Sequence, residues 1–344
     1  MKEITNKFKK EITSYGRMLD TVITYTIDDK EYFLDSDTLF SVTPHFEGNI
    51  LKSVMKQLDI ESSEAIPKNT IINVKFGVQV DLSLTVAEVH NMKVNRFNSL
   101  PINLLTPGLK GFEYINLGDY IVSKEPDYNA DSISYSHVCY DMMLYSMKDY
   151  EKMNITFPLT VKNYIKKICD FLGLTFANYN DTFVNCDKQL TEDYYLGYDY
   201  TFRDVLDELA QVTASTICIN SKNELEIRYI SEESVTELNE DYFKDTNVTF
   251  DNEYGPINSI VLSRSGESDN VFLQDEDSVN KNGLCELKIV NNQIMNYNNR
   301  SEYLPEILGK LNGLKYFTND FDSYGICFLD LCDRYTANVH GKLY

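Results

Sequence analysis

Tryptophan is absent from these 344 residues, and cations are scarce: 32 Lys and Arg stand against 53 Asp and Glu, a formal charge of −21. That sign disfavours a broad basic face for nucleic-acid phosphates and adhesion to an anionic membrane. No stretch approaches 18 apolar residues, so no transmembrane helix is expected. Lys2, Lys7, Lys9 and Lys10 are not followed by an apolar segment, so no secretory signal and no membrane anchor are expected either. There is no Cys-x-x-Cys pair. Of the seven cysteines, Cys139, Cys169, Cys186, Cys218, Cys285, Cys327 and Cys332, no two lie close to a His at zinc-ligand spacing, and they read as buried reduced thiols.

Catalytic signatures are missing as well. No P-loop, G-x-G-x-x-G after a strand, G-x-S-x-G elbow or H-E-x-x-H occurs. His45, His90, His137 and His340 are isolated and read as surface or structural residues. Cys139 follows His137, but a nucleophile pair needs proximity that this spacing does not guarantee. The loop Gln274 to Gly283 is Asp-rich and invites a calcium reading. With Gly283 at the EF-hand glycine, however, the twelfth position is Ile289 instead of Glu, and the match fails. Asp320 and Asp322 could be paired hydrolase carboxylates, yet two Asp in a short polar segment read first as a turn. The expected catalytic, cofactor and metal residues are therefore none.

What is present is aromatic and β-rich: 25 Tyr and 18 Phe among many Val, Ile and Thr. The length suggests two or three domains with a sizeable core. Val22 to Ile27, the turn Asp28-Asp29-Lys30 and Tyr32 to Leu34 form a hairpin pattern. Ile50 to Leu58 reads as a short helix. Thr70 to Val80, Leu82 to Val89 and Glu113 to Val122 read as strands, the last with a Gly-Asp kink. Their length and spacing suggest a closed or nearly closed barrel over residues 1–125. Pro126 to Asp131 reads as a boundary. Ile133 to Val138 follows as a strand and Tyr140 to Met147 as a short helix.

Residues 126–240 repeat one grammar. Thr160 caps a helix whose apolar stripe is Val161, Tyr164, Ile165, Ile168, Cys169 and Leu172; Gly173 stops it and Leu174 to Ala177 is a strand. Thr201 caps a second helix, with Asp204 answering the cap and Phe202, Val205, Leu206, Leu209 and Ala210 as its stripe. A hairpin follows, Ser215 to Asn220 and Leu225 to Ile230, turning at Ser221 to Asn223. Neither unit can bury its helix face alone, so the two are expected to share a core. Ser231 to Asp245 reads as an acidic connection with a helical turn. Over 241–344, strands at Asn247 to Phe250, Ile257 to Ser263, Val271 to Leu273, Leu284 to Val290 and Gly325 to Leu331, with a helix over Tyr303 to Leu311, suggest a second barrel-like domain. The fold class expected is α+β, two β-barrel-like domains with small α/β units between them.

The segments PLTVKNYIKKICDFLGLTF and YTFRDVLDELAQVTAS, with INLGDYIVSKE before them and NEYGPINSIVLSR after, resemble a known family. It is the hub module of long-tailed bacteriophage tail tips, the N-terminal part of tail-associated (Tal, or prophage endopeptidase tail) proteins. It is related to contractile-phage baseplate hubs and type VI secretion spike proteins. The resemblance covers roughly residue 20 to the end. It implies a homotrimer whose barrel-like domains, related to tail-tube subunits, make a pseudo-sixfold ring. Its implied partners are a hexameric distal tail protein, a tape-measure protein and receptor-binding or fibre proteins. DNA would pass through without specific binding, and the place would be the virion tail tip, assembled in the host bacterial cytoplasm. Longer members carry a lysin region that this chain would end before. Two other readings remain open: a tail-associated peptidoglycan hydrolase, and a host-glycan module using its tyrosines as sugar platforms.

Overall fold

The computed structural model describes residues 2, 4–14, 17–46, 49–81, 110–151, 153, 155–195, 199–243, 253–264, 270–297, 300–317, 327–339 and 341–343. The mixture is α+β and mostly sheet. A first helix, α1 (Asn6–Ile12), starts at Thr5, whose hydroxyl accepts from the Phe8 N–H. Eight strands follow: β1 (Leu19–Ile27), β2 (Lys30–Leu34), β3 (Leu39–Phe46), β4 (Lys56–Ser62), β5 (Ile71–Asp81), β6 (Lys110–Val122), β7 (Asp127–Asn129) and β8 (Ser134–Asp141). They form one sheet in the order β2-β1-β5-β6-β8-β4-β3, with β7 paired to β8.

The expected hairpin is there. Asp28 and Asp29 both take positive φ, 49° and 60°, the geometry of a tight two-residue turn whose twist matches its strands. The connection from β2 to β3 dictates the shape of the whole sheet. β2 and β3 are its two ends, yet only Asp35 to Thr38 joins them. Seven strands laid flat would separate those ends by roughly 29 Å, and the linking residues reach about 17 Å at most. The sheet must therefore curl. Ile23, Leu34, Leu58, Ile60, Ile72, Val74, Tyr120, Val122 and Cys139 meet in its interior. No β2–β3 pairing exists among the described residues, so of the closed or nearly closed barrel expected, the closed form is absent there and the sheet is open and curled.

Two further expectations change here. Ile50 to Leu58 is not a helix. Leu51 sits at φ 61°, outside the helical region, and β4 begins at Lys56. Its neighbours Lys52 and Val54 pair their backbone with Ile217 instead (Val54 N–H to Ile217 O, 2.8 Å; Ile217 N–H to Lys52 O, 3.1 Å). Pro126 to Asp131 is not only a turn, because β7 lies in it. The boundary expected at residue 125 falls inside the sheet, which takes in β8 up to Asp141. The strand Leu82 to Val89 lies outside the described residues.

The repeated grammar is present. β9 (Leu159–Thr160) leads into α2 (Val161–Leu172), which ends at Gly173 with φ 74° before β10 (Thr175–Phe176). β11 (Gln189–Leu190) pairs back on β9. α3 (Phe202–Val212) carries a full capping box at Thr201 and Asp204 and runs into the hairpin β12 (Thr216–Ile219) and β13 (Glu224–Arg228). β10 pairs in parallel with β13, so the two units share one three-stranded sheet. The stripes of α2 and α3 enter one core with Met142, Met143, Tyr195 and Ile217.

The last third is not a barrel among the described residues. Its strands fall into three small sheets: β14 (Thr236–Leu238) with β20 (Tyr335–Val339) and β21 (Lys342–Leu343); β15 (Glu253–Tyr254) with β19 (Tyr316–Phe317); and β17 (Val271–Gln274), β16 (Ser259–Ser263) and β18 (Glu286–Val290). Three helices join them. α4 (Glu276–Asn282), capped by Asp275, occupies the segment read as an Asp-rich loop. α5 (Gln293–Tyr297) and α6 (Leu304–Leu311) pack on the shared core. Of the expected strand Gly325 to Leu331, residues 327–331 are turn and irregular backbone, and Asp330 there joins the ion cluster described below. Asn247 to Phe250 lies outside the described residues.

Candidate functional site

The site with the densest polar organisation is a junction around α3. The capping box fixes where α3 starts, and helical spacing then puts Arg203 and Asp207 one turn apart. Both reach the 52–53 segment. Arg203 Nη2 donates to Ser53 O at 2.6 Å, and the Ser53 N–H donates to Asp207 Oδ1 at 2.8 Å. Lys52 Nζ lies 2.9 Å from Asp207 Oδ2. Asp207 thus captures the strand-like segment that the sequence suggested was helical.

The next residue, Glu208, points into the core and is only 8% exposed. Its Oε2 accepts from Tyr195 Oη at 2.8 Å and from the Gln293 N–H at 2.7 Å, and its backbone carbonyl accepts from Asn292 Nδ2 at 2.9 Å. Burial pushes its carboxyl up to about 7, although these donors work in the opposite direction. Tyr150 and Tyr164 share a 2.8 Å hydroxyl contact nearby, and Tyr150 also donates to Asp193 at 3.0 Å.

A second cluster ties the curled sheet to the C-terminal segment. Lys56 is 6% exposed. Its Nζ donates to Ile219 O at 2.9 Å and lies 3.6 Å from Asp330 Oδ1. Arg228 Nη1 meets Asp330 Oδ2 at 2.9 Å, with Asp333 at 3.7 Å and Glu226 at 3.8 Å. Burial alone would raise the Asp330 carboxyl, but Lys56, Arg228 and Lys2 outweigh it and hold it below the usual carboxylate range. Asp141 at the end of β8 is pushed up to about 6, chiefly by burial and less strongly offset by Lys56. A cleft of about 190 Å³ opens beside the cluster, between Leu51, Tyr229, Ser231, Lys310 and Arg334.

The third contact is the tip of the β12–β13 hairpin. β6 carries a bulge at Leu117, and Gly118 has φ 105°. Asn223 docks there: its Oδ1 accepts from the Asp119 N–H at 2.9 Å and its Nδ2 donates to Asp119 Oδ2 at 2.7 Å. Asn73 Nδ2 donates to the other Asp119 oxygen at 2.6 Å. The arrangement holds three parts of the chain in one body. It presents carboxylates, amides and phenols, most of them with hydrogen-bond partners.

The candidates from sequence are scattered. His45 lies on the surface, with Nε2 2.9 Å from Asp59. His137 is buried; its Nε2 accepts from the Ile66 N–H at 2.9 Å, and burial lowers its pKa. Cys139 is two residues along the same strand, and burial pushes its thiol up to about 12, far from a nucleophilic thiolate. The seven cysteines are free, four of them buried and three half-buried. Among the described residues no group of three His, Cys, Asp or Glu is placed to hold a metal, and no helix is long and apolar enough to cross a membrane. His90, His340, Asp320 and Asp322 lie outside the described residues. Sequence reasoning did not single out Lys56, Asp119, Asp207, Asn223, Arg228 or Asp330 as site residues, each of which has a partner 100 or more residues away. Only Glu208 left a signal, a carboxylate three residues after Val205 and four before Val212, on the apolar stripe.

No family model and no curated protein matches the chain. A comparison with solved structures finds the following similarities. The 43 kDa tail protein of prophage MuSo2 from Shewanella oneidensis is 10% identical, at a TM-score of 0.42, over 84% of this chain and 77% of that one. Prophage tail protein gp18 from Listeria monocytogenes EGD-e is 10% identical at 0.45, over 83% and 76%. The tail protein from Neisseria meningitidis MC58 is 12% identical at 0.35, over 78% and 71%.

Proposed function

We propose that the chain is a structural protein of a bacteriophage or prophage tail, placed at the tail tip as a hub. Three copies form a ring that caps or extends the tube, joins the hexameric distal tail protein to the tip and gates DNA passage. Tape-measure and receptor-binding or fibre proteins are its further partners, and assembly takes place in the host bacterial cytoplasm. The observation that carries this reading is the shared sheet β10-β13-β12. It joins the two capped helices whose segments resemble the hub family, and the α3 junction locks that unit to the curled sheet. Such a body suits load-bearing and shape change rather than bond chemistry. The charge of −21 suits a lumen past which DNA must slide.

The test is native mass spectrometry of the chain, alone and mixed with the distal tail protein, beside electron microscopy of assembled particles labelled on this protein. A threefold assembly carrying label at the tail tip is the expected result. Label confined to the head, or lysis of cell-wall substrate by this chain alone, would overturn the reading.

A further inference from the structure

The face of the curled sheet turned away from its core carries a groove of about 620 Å³, within the range of small-ligand sites. Strand register builds it. Phe33 pairs with Thr24, Thr24 with Asn73, and Asn73 with Asp119, so these four form one row on one face. Glu31 and Thr26 start the next row, beside Ile71, and Lys68, Asn69 and Thr70 form the end wall. The other face of the same strands is apolar, with Ile23, Ile72, Val74 and Tyr120 in the interior; Tyr25 and Ile27, packed on that core, also border the groove. The docked hairpin tip borders the row at Asp119.

We propose that this groove binds a saccharide. Hydroxyls of Thr24, Thr26 and Thr70 both donate and accept, and Asn69, Asn73, Asp119 and Glu31 add amide and carboxylate groups suited to neighbouring sugar hydroxyls. Asp119 is already fixed by two amide donors, Asn73 and Asn223, so its orientation needs no ordering on binding. Ile71, 46% exposed, lines the groove, and Phe33, 63% exposed, continues the Thr24 row just beyond the lining; both offer apolar surface to the C–H face of a ring. Other ligand classes fit poorly. Glu31 and Asp119 repel a phosphate, which would find only Lys68 in the groove. The polar floor disfavours a wholly apolar ligand. This inference stands apart from the tail assignment.

Saturation-transfer NMR of the full chain tests it, using glucose, galactose, rhamnose and N-acetylglucosamine, and the trisaccharides of glucose and of N-acetylglucosamine. At least one probe is expected to bind saturably. Phe33→Ala and Thr24→Val should each weaken that binding about tenfold, as loss of one ring face or one hydrogen bond does. Glu31→Gln, an exposed change, provides a third variant should either of these fold poorly. Saturation transfer to none of the six probes overturns the proposal. Binding undiminished in the folded variants also overturns it, since the sugar would then sit elsewhere.

Discussion

Glu208 is a carboxylate on the apolar side of α3, held by Tyr195 and the Gln293 N–H. Burial raises its folded pKa to about 7, above the ordinary glutamate value. The folded state therefore keeps a proton that the unfolded chain releases. Stability from this group is complete below the unfolded pKa and is lost as pH rises through about 7, a difference on the order of 3 kcal/mol. Asp141, raised to about 6, acts in the same direction. Asp330, with its lowered pKa, acts oppositely, and its contribution is lost as pH falls through its folded value. Urea midpoints of the native chain should thus fall between pH 5.5 and pH 7.5. Glu208→Gln, which keeps an acceptor for Tyr195 and Gln293, should flatten much of that slope. Equal slopes in the two proteins would refute the assignment. A carboxylate on an apolar stripe is visible in a sequence, but the residues that surround it are not.

Among the elements, α2 and α3 were the most legible. Their signals are local: a Thr cap, a 3.6-residue stripe, and a Gly stop for α2. The 50–58 segment has an equally good stripe, yet its backbone groups pair with β12 and Asp207, more than 150 residues away. No local pattern reports such a partner. Two substitutions separate local from tertiary control. Thr201→Ala removes a cap and should cost about 1 kcal/mol. Gly118→Ala forces a side chain to φ 105° beside Ser221 and Asn223 and should cost about 1–3 kcal/mol. It should also loosen amide protection at the hairpin tip, where Thr201→Ala should not. Hydrogen exchange at Asp119 and Asn223 measures the difference, and unchanged protection in Gly118→Ala would count against the docking contact.

For the whole molecule, the charge cluster at Asp330 is the fastening that matters. It joins β4 through Lys56, β13 through Arg228 and the C-terminal turn in one partly buried group. Asp330→Ala leaves two cations without their main partner and should cost about 3–5 kcal/mol, more than any exposed ion pair. Chemical denaturation measures it, and a loss under 1 kcal/mol would show that the cluster is incidental. The sequence by itself determined the α+β class, the first hairpin, both capped helices and their shared core, because each follows from short-range periodicity, capping and turn chemistry. It also limited nucleic-acid chemistry through charge. Only the tertiary structure decided that, among the described residues, the first sheet curls without closing and extends past residue 125, that the last third divides into small sheets, and which charges meet. Those outcomes depend on strand partners and ion partners far apart along the chain, where spacing carries no information about proximity.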